Sequence, residues 1–500
     1  MRSLKPALLG LLLAASLLPA EDNFLSLDQA IGLSLDKNLA YQMARLNPEI
    51  ARESIIIQEA AFDFELFGSG RVAQSEQTTT FSQVTATSSD PRNWVAGVRK
   101  RLAYGTSVTA QTNLDRRDSN AGVNTTNLSQ SADFSVSVRQ PLLNGFGKDA
   151  NTAYLERSRS AYQAAIETYR QAVQQIVAQT EISYWAVARW QEQLELAKSS
   201  QEVADALLNE TRERARVGLA TQIDVLQAEA SKAERTEEII STTQSLGDAF
   251  DLLLTYMGVI PEAESNALEP EYKVTPLKDN SPELPDYMQI WNMALQRDPN
   301  LAAQQAVIEQ REWERLAARS ATRPTLDLVL SGAYSGIDDE DMETAIDNAV
   351  NRDGESWAIG FEFNMPWSMR AGKADYRAAE KRLQQEELRY EELKQILSRQ
   401  VRSAWRGLQA VQQSVKAAQL TVSLQEAAFE REKTKYNEGL SAFRDVLEAQ
   451  RDLDQARIRL LQSKYNQLES EIELARLSGF ILQRHGVTEE DLPGDPEAQN

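Results

Sequence analysis

The sequence has no cysteine and a single histidine, His485, in 500 residues. Without cysteine there is no disulfide bond, no zinc–thiolate site, no thiol nucleophile and no lipid on an N-terminal cysteine. With one histidine the chain also lacks the commonest general base and metal ligand of proteins. We therefore expect no catalytic residue, no cofactor and no metal site, and we do not expect an enzyme.

Positive charge and long apolar segments are also scarce. The chain has 53 Lys and Arg against 74 Asp and Glu, a formal net charge of −21. A protein that binds nucleic-acid phosphates needs a basic surface, so we expect no nucleic-acid partner. No segment reaches the roughly 18 consecutive apolar residues of a membrane-spanning helix.

The first 20 residues have the pattern of a secretory signal peptide. Arg2 and Lys5 precede an apolar run over residues 7–18, and Ala20 supplies a small residue before acidic Glu21. An exported chain without spanning helices can cross a bilayer only as β-strands closed into a barrel, because open strand edges are not tolerated in lipid.

The rest of the chain reads as a tandem duplication. Three landmarks recur in order in each half: a proline six residues before Gly-Lys, a Gly-Leu pair six residues before Asp-Val-Leu, and a glycine forty residues after that pair. They fall at Pro141, Gly218 and Gly258 in the first half and at Pro366, Gly439 and Gly479 in the second. Several landmarks in one order predict two copies of the same structural unit.

Each half contains a predicted long helical hairpin. No proline or glycine interrupts the chain between Gly147 and Gly218, and apolar residues recur every seven positions from Leu383 to Ala418, as in a coiled-coil seam. Gly218 and Gly439 suit the left-handed residue that ends a helix. Second helices are predicted from Thr221 to about residue 256 and from Ala442 to about residue 484.

The segments before Pro141 and Pro366 change to a period of two. Apolar and polar residues alternate over 134–138, 326–330 and 357–365. This is the pattern of barrel strands that face lipid on one side and water on the other, although a sheet packed on one face gives the same pattern. Residues 94–102 and 106–114, with a turn at Gly105, predict an additional hairpin whose location we leave open.

These features together resemble the TolC family of outer-membrane efflux and secretion ducts. The resemblance extends over nearly all of the chain after residue 20. The residues that carry it are the strand ends at Pro141 and Pro366, the paired halves, and the tips at Gly218 and Gly439.

The resemblance implies a mixed, mainly α fold with a membrane β-barrel. Each chain would give four core strands, and a homotrimer would close a 12-stranded barrel joined to a periplasmic barrel of helices. Implied partners are outer-membrane lipid, a periplasmic membrane-fusion adaptor, and an inner-membrane pump that is either proton-driven or an ATPase. The implied location is the outer membrane of a Gram-negative bacterium, extending into the periplasm.

The resemblance also implies roles at the tips. The residues that contact the adaptor would be those of the two turns: Val217, Gly218, Leu219, Glu438, Gly439 and Leu440. Asp445 and Glu448 would form acidic constriction rings, with Tyr436 and Asp224 in the gate network. The family arginine that pairs with the acid at Asp224 is Ser441 here, and Arg444 is a candidate substitute. Asp445 and Glu448 also fit an ordinary solvated helix face.

The resulting domain prediction is a signal peptide, a first repeat, a linker, a second repeat and a tail, over 1–20, 21–258, 259–285, 286–484 and 485–500. The predicted function is a passive channel of a tripartite efflux or type I secretion system, opened at its periplasmic tip by an adaptor. The alternatives are a secreted structural or adhesive coiled-coil stalk with a β-barrel anchor, and the adaptor itself. The cargo stays open between drugs, metals, siderophores and proteins.

Overall fold

A computed structural model describes residues 24–76, 88–119, 128–259, 273–277 and 283–487. The predicted signal peptide lies outside these residues, as do most of the linker and the end of the tail. The described residues belong to two compact units. The helical unit comprises Met1–Asn47, Glu167–Ala302 and Glu392–Asn500, and the sheet unit comprises Pro48–Ile166 and Ala303–Glu391. Each unit draws on both halves of the predicted duplication, whose boundaries stay a prediction.

The described residues contain ten α-helices. Their bounds are α1 Leu27–Lys37, α2 Leu39–Glu59, α3 Lys148–Arg216, α4 Gln222–Met257, α5 Tyr287–Arg297, α6 Pro299–Ser320, α7 Met342–Val350, α8 Arg370–Asn437, α9 Phe443–Leu477 and α10 Ile481–Arg484. None of the helices in these ranges combines the length and the apolar character needed to cross a bilayer.

The long helices form two hairpins, α3–α4 and α8–α9. The heptad positions of α8 form a buried seam, with Leu397, Val401 and Leu408 at most 4% exposed. The helix α9 ends at Leu477, earlier than the predicted residue 484, because Gly479 adopts a left-handed φ of 69°. The chain then starts the separate short helix α10.

Two apolar clusters lie within the helical unit. The larger one surrounds the fully buried Tyr184, Leu253 and Ile472. Tyr184 also contacts the segment before α1, since its hydroxyl donates to the Leu25 carbonyl at 2.9 Å. Near it, β1 (Phe24–Leu25) pairs in parallel with β7 (Lys273–Val274). The second cluster joins the two hairpins near their tips and is described below.

The sheet unit contains one antiparallel sheet of seven strands. In chain order they are β2 Phe64–Val72, β3 Ser75–Glu76, β4 Ser88–Arg101, β5 Ser107–Ser119, β6 Leu128–Pro141, β8 Thr325–Asp338 and β9 Gly354–Asn364. The spatial order is β2-β4-β5-β6-β8-β9, with the short β3 also paired to β4. Within the described part of the chain, β2 and β9 pair on one side only and are therefore the edges.

The sheet contains the additional hairpin beside the four predicted core strands. The sheet has six long strands, because the additional hairpin is β4–β5 and lies between β2 and β6. The predicted turn is confirmed, with Gly105 at a left-handed φ of 90°. Alternation along one strand fixes which side chains share a face, but it does not fix which strand lies next to it. For that reason the sequence pattern left the place of this hairpin open.

The two faces of the sheet differ in polarity. One face, here called the apolar face, carries mainly aromatic and aliphatic side chains from every long strand. Examples of facing pairs are Phe134 with Tyr334 and Leu328 with Phe361. The opposite, polar face carries Asp133 and Arg139, and Arg139 bridges Asp327 at 2.8 Å and Glu362 at 2.6 Å. This arrangement matches a wall with lipid on one side and water on the other.

Candidate functional site: the two hairpin tips

The two predicted tips share one backbone conformation. Gly218 and Gly439 have left-handed φ angles of 78° and 76°. In each tip the residue after the glycine donates its N–H to the carbonyl five positions earlier at 2.8 Å, and the glycine itself donates to the carbonyl three positions earlier. This is the Schellman-type closure of a helix, which requires a residue that tolerates positive φ. The sequence spacing therefore located both turns correctly.

The turn residues predicted to contact a partner are solvent-exposed. Leu219 and Leu440 are 72% and 74% exposed, and Val217 is 62% exposed. Glu438 is exposed as well. Each tip thus presents an apolar side chain directly after its glycine.

At the first tip, Asp224 takes part in the N-terminal cap of α4. Thr221 is the N-cap of α4, and its hydroxyl accepts from the Asp224 N–H at 3.2 Å. The Asp224 carboxylate in turn accepts from the Thr221 N–H at 2.7 Å. This reciprocal pair is a capping box, which satisfies two of the backbone donors left free at a helix start. Asp224 thus lies in a local helix cap, and its membership of the gate stays a prediction.

The second tip has no such cap. Ala442 occupies the N-cap position of α9 and has no side-chain oxygen that could accept from the backbone donors of the helix start. The preceding Ser441 donates its hydroxyl to the Glu432 carboxylate on α8 instead. Hydrogen bonds from Ser441 and then Lys435 lower the pKa of Glu432. Ser441, which stands where the TolC family has an arginine, therefore closes a link within its own tip.

The second acid, Asp445, makes a different contact from Asp224. Asp445 is placed on α9 as Asp224 is on α4, but its carboxylate contacts Arg444, whose guanidinium donates at 3.0 Å. Within the chain Arg444 therefore pairs with the acid of its own tip, and its pairing with Asp224 of another copy stays a prediction. Glu448, one turn further along, is exposed. Between them Val446 is fully buried, so the two predicted ring acids lie on the open side of α9.

Tyr436 joins the two hairpins. It is 6% exposed and packs on Phe443 with ring centroids 5.6 Å apart. The Arg214 guanidinium, from α3, lies 4.3 Å from the centre of the Tyr436 ring and donates to the Tyr436 carbonyl at 3.1 Å. The Tyr436 hydroxyl is buried and has no hydrogen-bond partner among the described residues.

Apolar residues of all four long helices surround this contact. The tip cluster comprises Leu207, Leu208, Val225, Ala228, Phe429, Tyr436, Phe443, Val446 and Leu453. One polar layer lies beyond it, where Arg235 of α4 bridges Asp454 of α9 at 2.9 Å and Ser200 donates to Asp454 at 2.8 Å. Burial raises the pKa of Asp454, although Ser200 and Arg235 oppose the shift. The first and second hairpins are therefore held together by both apolar and ionic contacts.

Sequence reasoning missed two members of this site, Arg214 and Glu432. Arg214 lies four residues before Gly218, and its proximity to Tyr436 depends on how α3 packs beside α8. Glu432 lies seven residues before Gly439, which is two helical turns. That spacing was the only feature of the sequence that could have placed Glu432 near the tip. In the described ranges no three His, Asp or Glu side chains are grouped so that they could hold a metal ion.

Comparisons with known proteins agree on one family and one fold. A family model described as outer membrane efflux protein matches residues 98–259 and 290–480. The outer membrane efflux protein BepC of Brucella suis biovar 1 (strain 1330) is 24% identical over 320 residues, which are 63% of this chain and 64% of that protein.

Two solved structures share the fold at lower identity. The outer-membrane channel OprN superposes with a TM-score of 0.68 and 17% identity, covering 91% of this chain and 89% of that one. The open state of the Neisseria gonorrhoeae MtrE outer membrane channel gives 0.65 and 18%, covering 91% and 89%. At these identities the superpositions establish the fold alone.

Proposed function

The chain belongs to the outer membrane efflux protein family, and we propose that it forms the outer-membrane duct of a tripartite efflux or type I secretion system. In this role it performs no bond chemistry. It passes solutes or polypeptides from the periplasm to the exterior, and an inner-membrane pump supplies the energy. The observation that carries the proposal is the family match, which includes both hairpin tips and most of the sheet.

The sheet supports assembly from several copies. Its edges β2 and β9 each lack a neighbour within the described chain. Unpaired strand edges are not tolerated in hydrocarbon, so copies of the chain must supply the missing partners. Cyclic symmetry lets β2 of one copy pair with β9 of the next until the wall closes. We propose three copies, the number that the resemblance to TolC-like ducts implies.

The tips support opening by a partner. The exposed Leu219 and Leu440 offer apolar contacts on two similar turns, as expected for a surface that meets the hairpin of a periplasmic adaptor. We propose that the adaptor binds the open arrangement of the tips better than the closed one. Binding then shifts the population toward the open duct without any input of energy from this chain.

The gate itself is proposed to be acidic. In a trimer Asp445 and Glu448 would each form a ring of three carboxylates at the narrow end of the duct. Such rings favour cations, as acidic rings do in other channels. Multivalent cations should then block the closed duct.

Planar-bilayer recordings test this assignment. The double variant Asp445→Ala with Glu448→Ala should raise the single-channel conductance and weaken block by a trivalent cation at least several-fold. Asp248→Ala with Asp251→Ala is a matched control, because it removes two acids of the same spacing from α4, far along the helix from its tip. Equal effects of the two pairs would refute the ring assignment, and a protein that forms no channel would refute the duct.

A further inference from the structure

The first half of the chain contributes two more long strands to the sheet than the second half does. We infer that the β4–β5 hairpin is an inserted segment of the membrane wall, so that three chains with six strands each close an eighteen-stranded barrel instead of a twelve-stranded one. The inference rests on the proposed function for the three copies. It concerns only what each copy adds to the wall.

The hairpin has the two faces that a membrane wall requires. On β4 the apolar face carries Trp94, Ala96 and Val98, in register with apolar or small residues of β5. Arg92 and Lys100 lie on the same face at the two ends of this apolar band. They are eight residues apart, which along a strand is about 27 Å. That is close to the apolar band of roughly 25 Å in outer-membrane barrels, so both cations can reach the lipid headgroups.

Contacts on both faces fix β4 beside β2. On the apolar face the Trp94 ring covers Gly70, where an added Cβ would lie 2.5 Å from the ring. On the polar face the Phe67 ring covers Gly97, where an added Cβ would again lie 2.5 Å away. Each aromatic lies directly opposite its glycine in the register. Aromatic side chains over facing glycines stabilise a specific strand pair, so β2 and β4 are matched to each other in sequence.

The turn of the hairpin is anchored at the end of the sheet where β6 leads into α3. Arg101, at the end of β4, donates to the Asn151 side chain at 3.0 Å. Asn151 in turn donates to the Gly145 carbonyl at 2.7 Å. Gly105 approaches the same carbonyl so closely that a Cβ there would lie 2.5 Å from it. The turn is therefore built into the sheet unit, and β4 and β5 run the full height of the wall.

An inserted hairpin leaves closure unchanged but widens the barrel. Two antiparallel strands restore the original chain direction, so β2 and β9 remain the edges that meet between copies. Barrel diameter grows roughly linearly with strand number, so eighteen strands give a wall about one and a half times as wide as twelve. The structure therefore assigns to this duct a wider outer opening than four strands per chain would give, suited to bulkier cargo.

Disulfide trapping tests the position of the hairpin, and the chain has no cysteine of its own to interfere. Ser69 lies opposite Val95 on the polar face, whereas Asp133 lies in the same row two strands further on. Ser69→Cys with Val95→Cys should cross-link within the folded chain. Ser69→Cys with Asp133→Cys should not, because three strand spacings place the two about 14 Å apart, beyond the reach of a disulfide.

Deletion of residues 88–119 provides the matched control. It removes β4 and β5 together, which keeps strand direction and face, so β2 can pair with β6. In this variant Ser69→Cys with Asp133→Cys should cross-link. Cross-linking of that pair in the intact chain would overturn the inference.

Electron cryomicroscopy of the assembled protein in nanodiscs counts the strands directly. After native mass spectrometry establishes three copies, the intact protein should show eighteen strands and the deletion variant twelve, with about two thirds of the diameter. A three-copy intact protein with a twelve-stranded wall would overturn the inference and leave the proposed duct standing. Material that is not a three-copy channel would instead contradict the proposed function.

Discussion

The two hairpin tips have nearly the same backbone but use equivalent side chains differently. At the first tip Thr221 and Asp224 form a capping box that starts α4. At the second tip the equivalent residues are Ala442 and Asp445, and no capping box forms. The acid of the first tip accepts from the start of its own helix, and the half-buried acid of the second tip pairs with Arg444.

This difference leads us to expect that the two tips differ in how easily their helices open. A helix without an N-cap opens more easily at its first turn, and moving elements are drawn from the less stable parts of a protein. The second tip also depends on contacts with the other hairpin, through Tyr436 and Arg214. We therefore expect the second tip to move during opening, and the first tip to serve as the surface against which it moves.

Loss of Tyr436 should have the largest effect on this asymmetry. Tyr436→Ala gives the second tip the residue that the first tip has at Ala215, and it removes a buried aromatic ring. Aromatic-to-alanine changes in packed sites cost about 3–5 kcal/mol, so the second tip should open locally far more often. Amide hydrogen exchange at the end of α8 and the start of α9 measures this.

Tyr436→Phe is the control and should change the exchange rates little, because the Tyr436 hydroxyl has no hydrogen-bond partner among the described residues. A phenylalanine variant as open as the alanine variant would contradict the packing argument.

Substitution of the two turn glycines should have equal effects, because the two tips share one backbone conformation. Gly218→Ala and Gly439→Ala should each cost about 1–2 kcal/mol, because both residues have positive φ while nothing lies within 4 Å of an added Cβ. Equal losses of exchange protection at the two tips are expected. The control is Gly407→Ala, inside α8 and also with open space, which should stabilise its helix by about 1 kcal/mol. Clearly unequal losses at the two tips would mean that their backbones differ in solution.

Exchanging the caps should remove or create the asymmetry. Thr221→Ala should destabilise the start of α4 by about 1 kcal/mol, the usual cost of losing an N-cap. Ala442→Thr should stabilise the start of α9 by a similar amount, because Asp445 is placed to complete a capping box. The stabilised variant should also open less often in bilayer recordings. If Ala442→Thr protected α9 yet left the opening rate unchanged, the second tip would not be the moving element.

Lowering the pH should destabilise the second tip, and this is the smallest of the expected effects. The folded pKa of Glu432 lies below its ordinary value, because Ser441 and Lys435 donate to the carboxylate. Such a group stabilises the folded state at pH values above its unfolded pKa, and this contribution is lost as the pH falls through the folded pKa. Ser441→Ala should therefore lower the thermal midpoint at pH 7, and the difference from the parent should shrink below about pH 4. A difference that persists unchanged at low pH would exclude this ion–dipole contact as its cause.

Much of the tip geometry was predictable because it depends on residues close together in sequence. Positive φ at Gly218 and Gly439 follows from a Gly-Leu pair at the end of a long helical pattern in each half, and Thr221 was correctly placed at the start of its helix. The placement of Arg214 against Tyr436 was not predictable. Those residues are more than two hundred positions apart, and their contact is set by the packing of α3 against α8.

The sequence by itself determined the helical hairpins, their turns, the alternating strands and the family resemblance, because each is recorded in local periodicity or in short spacings. Only the tertiary structure decided which strands are neighbours, and it placed β4–β5 inside the sheet to give six long strands. It also decided that Arg214 lies against Tyr436 and that Asp454 pairs with Arg235 across the two hairpins. The physical reason is that alternation fixes the face of a strand but not its partner, and a carboxylate's role depends on which donors fold against it.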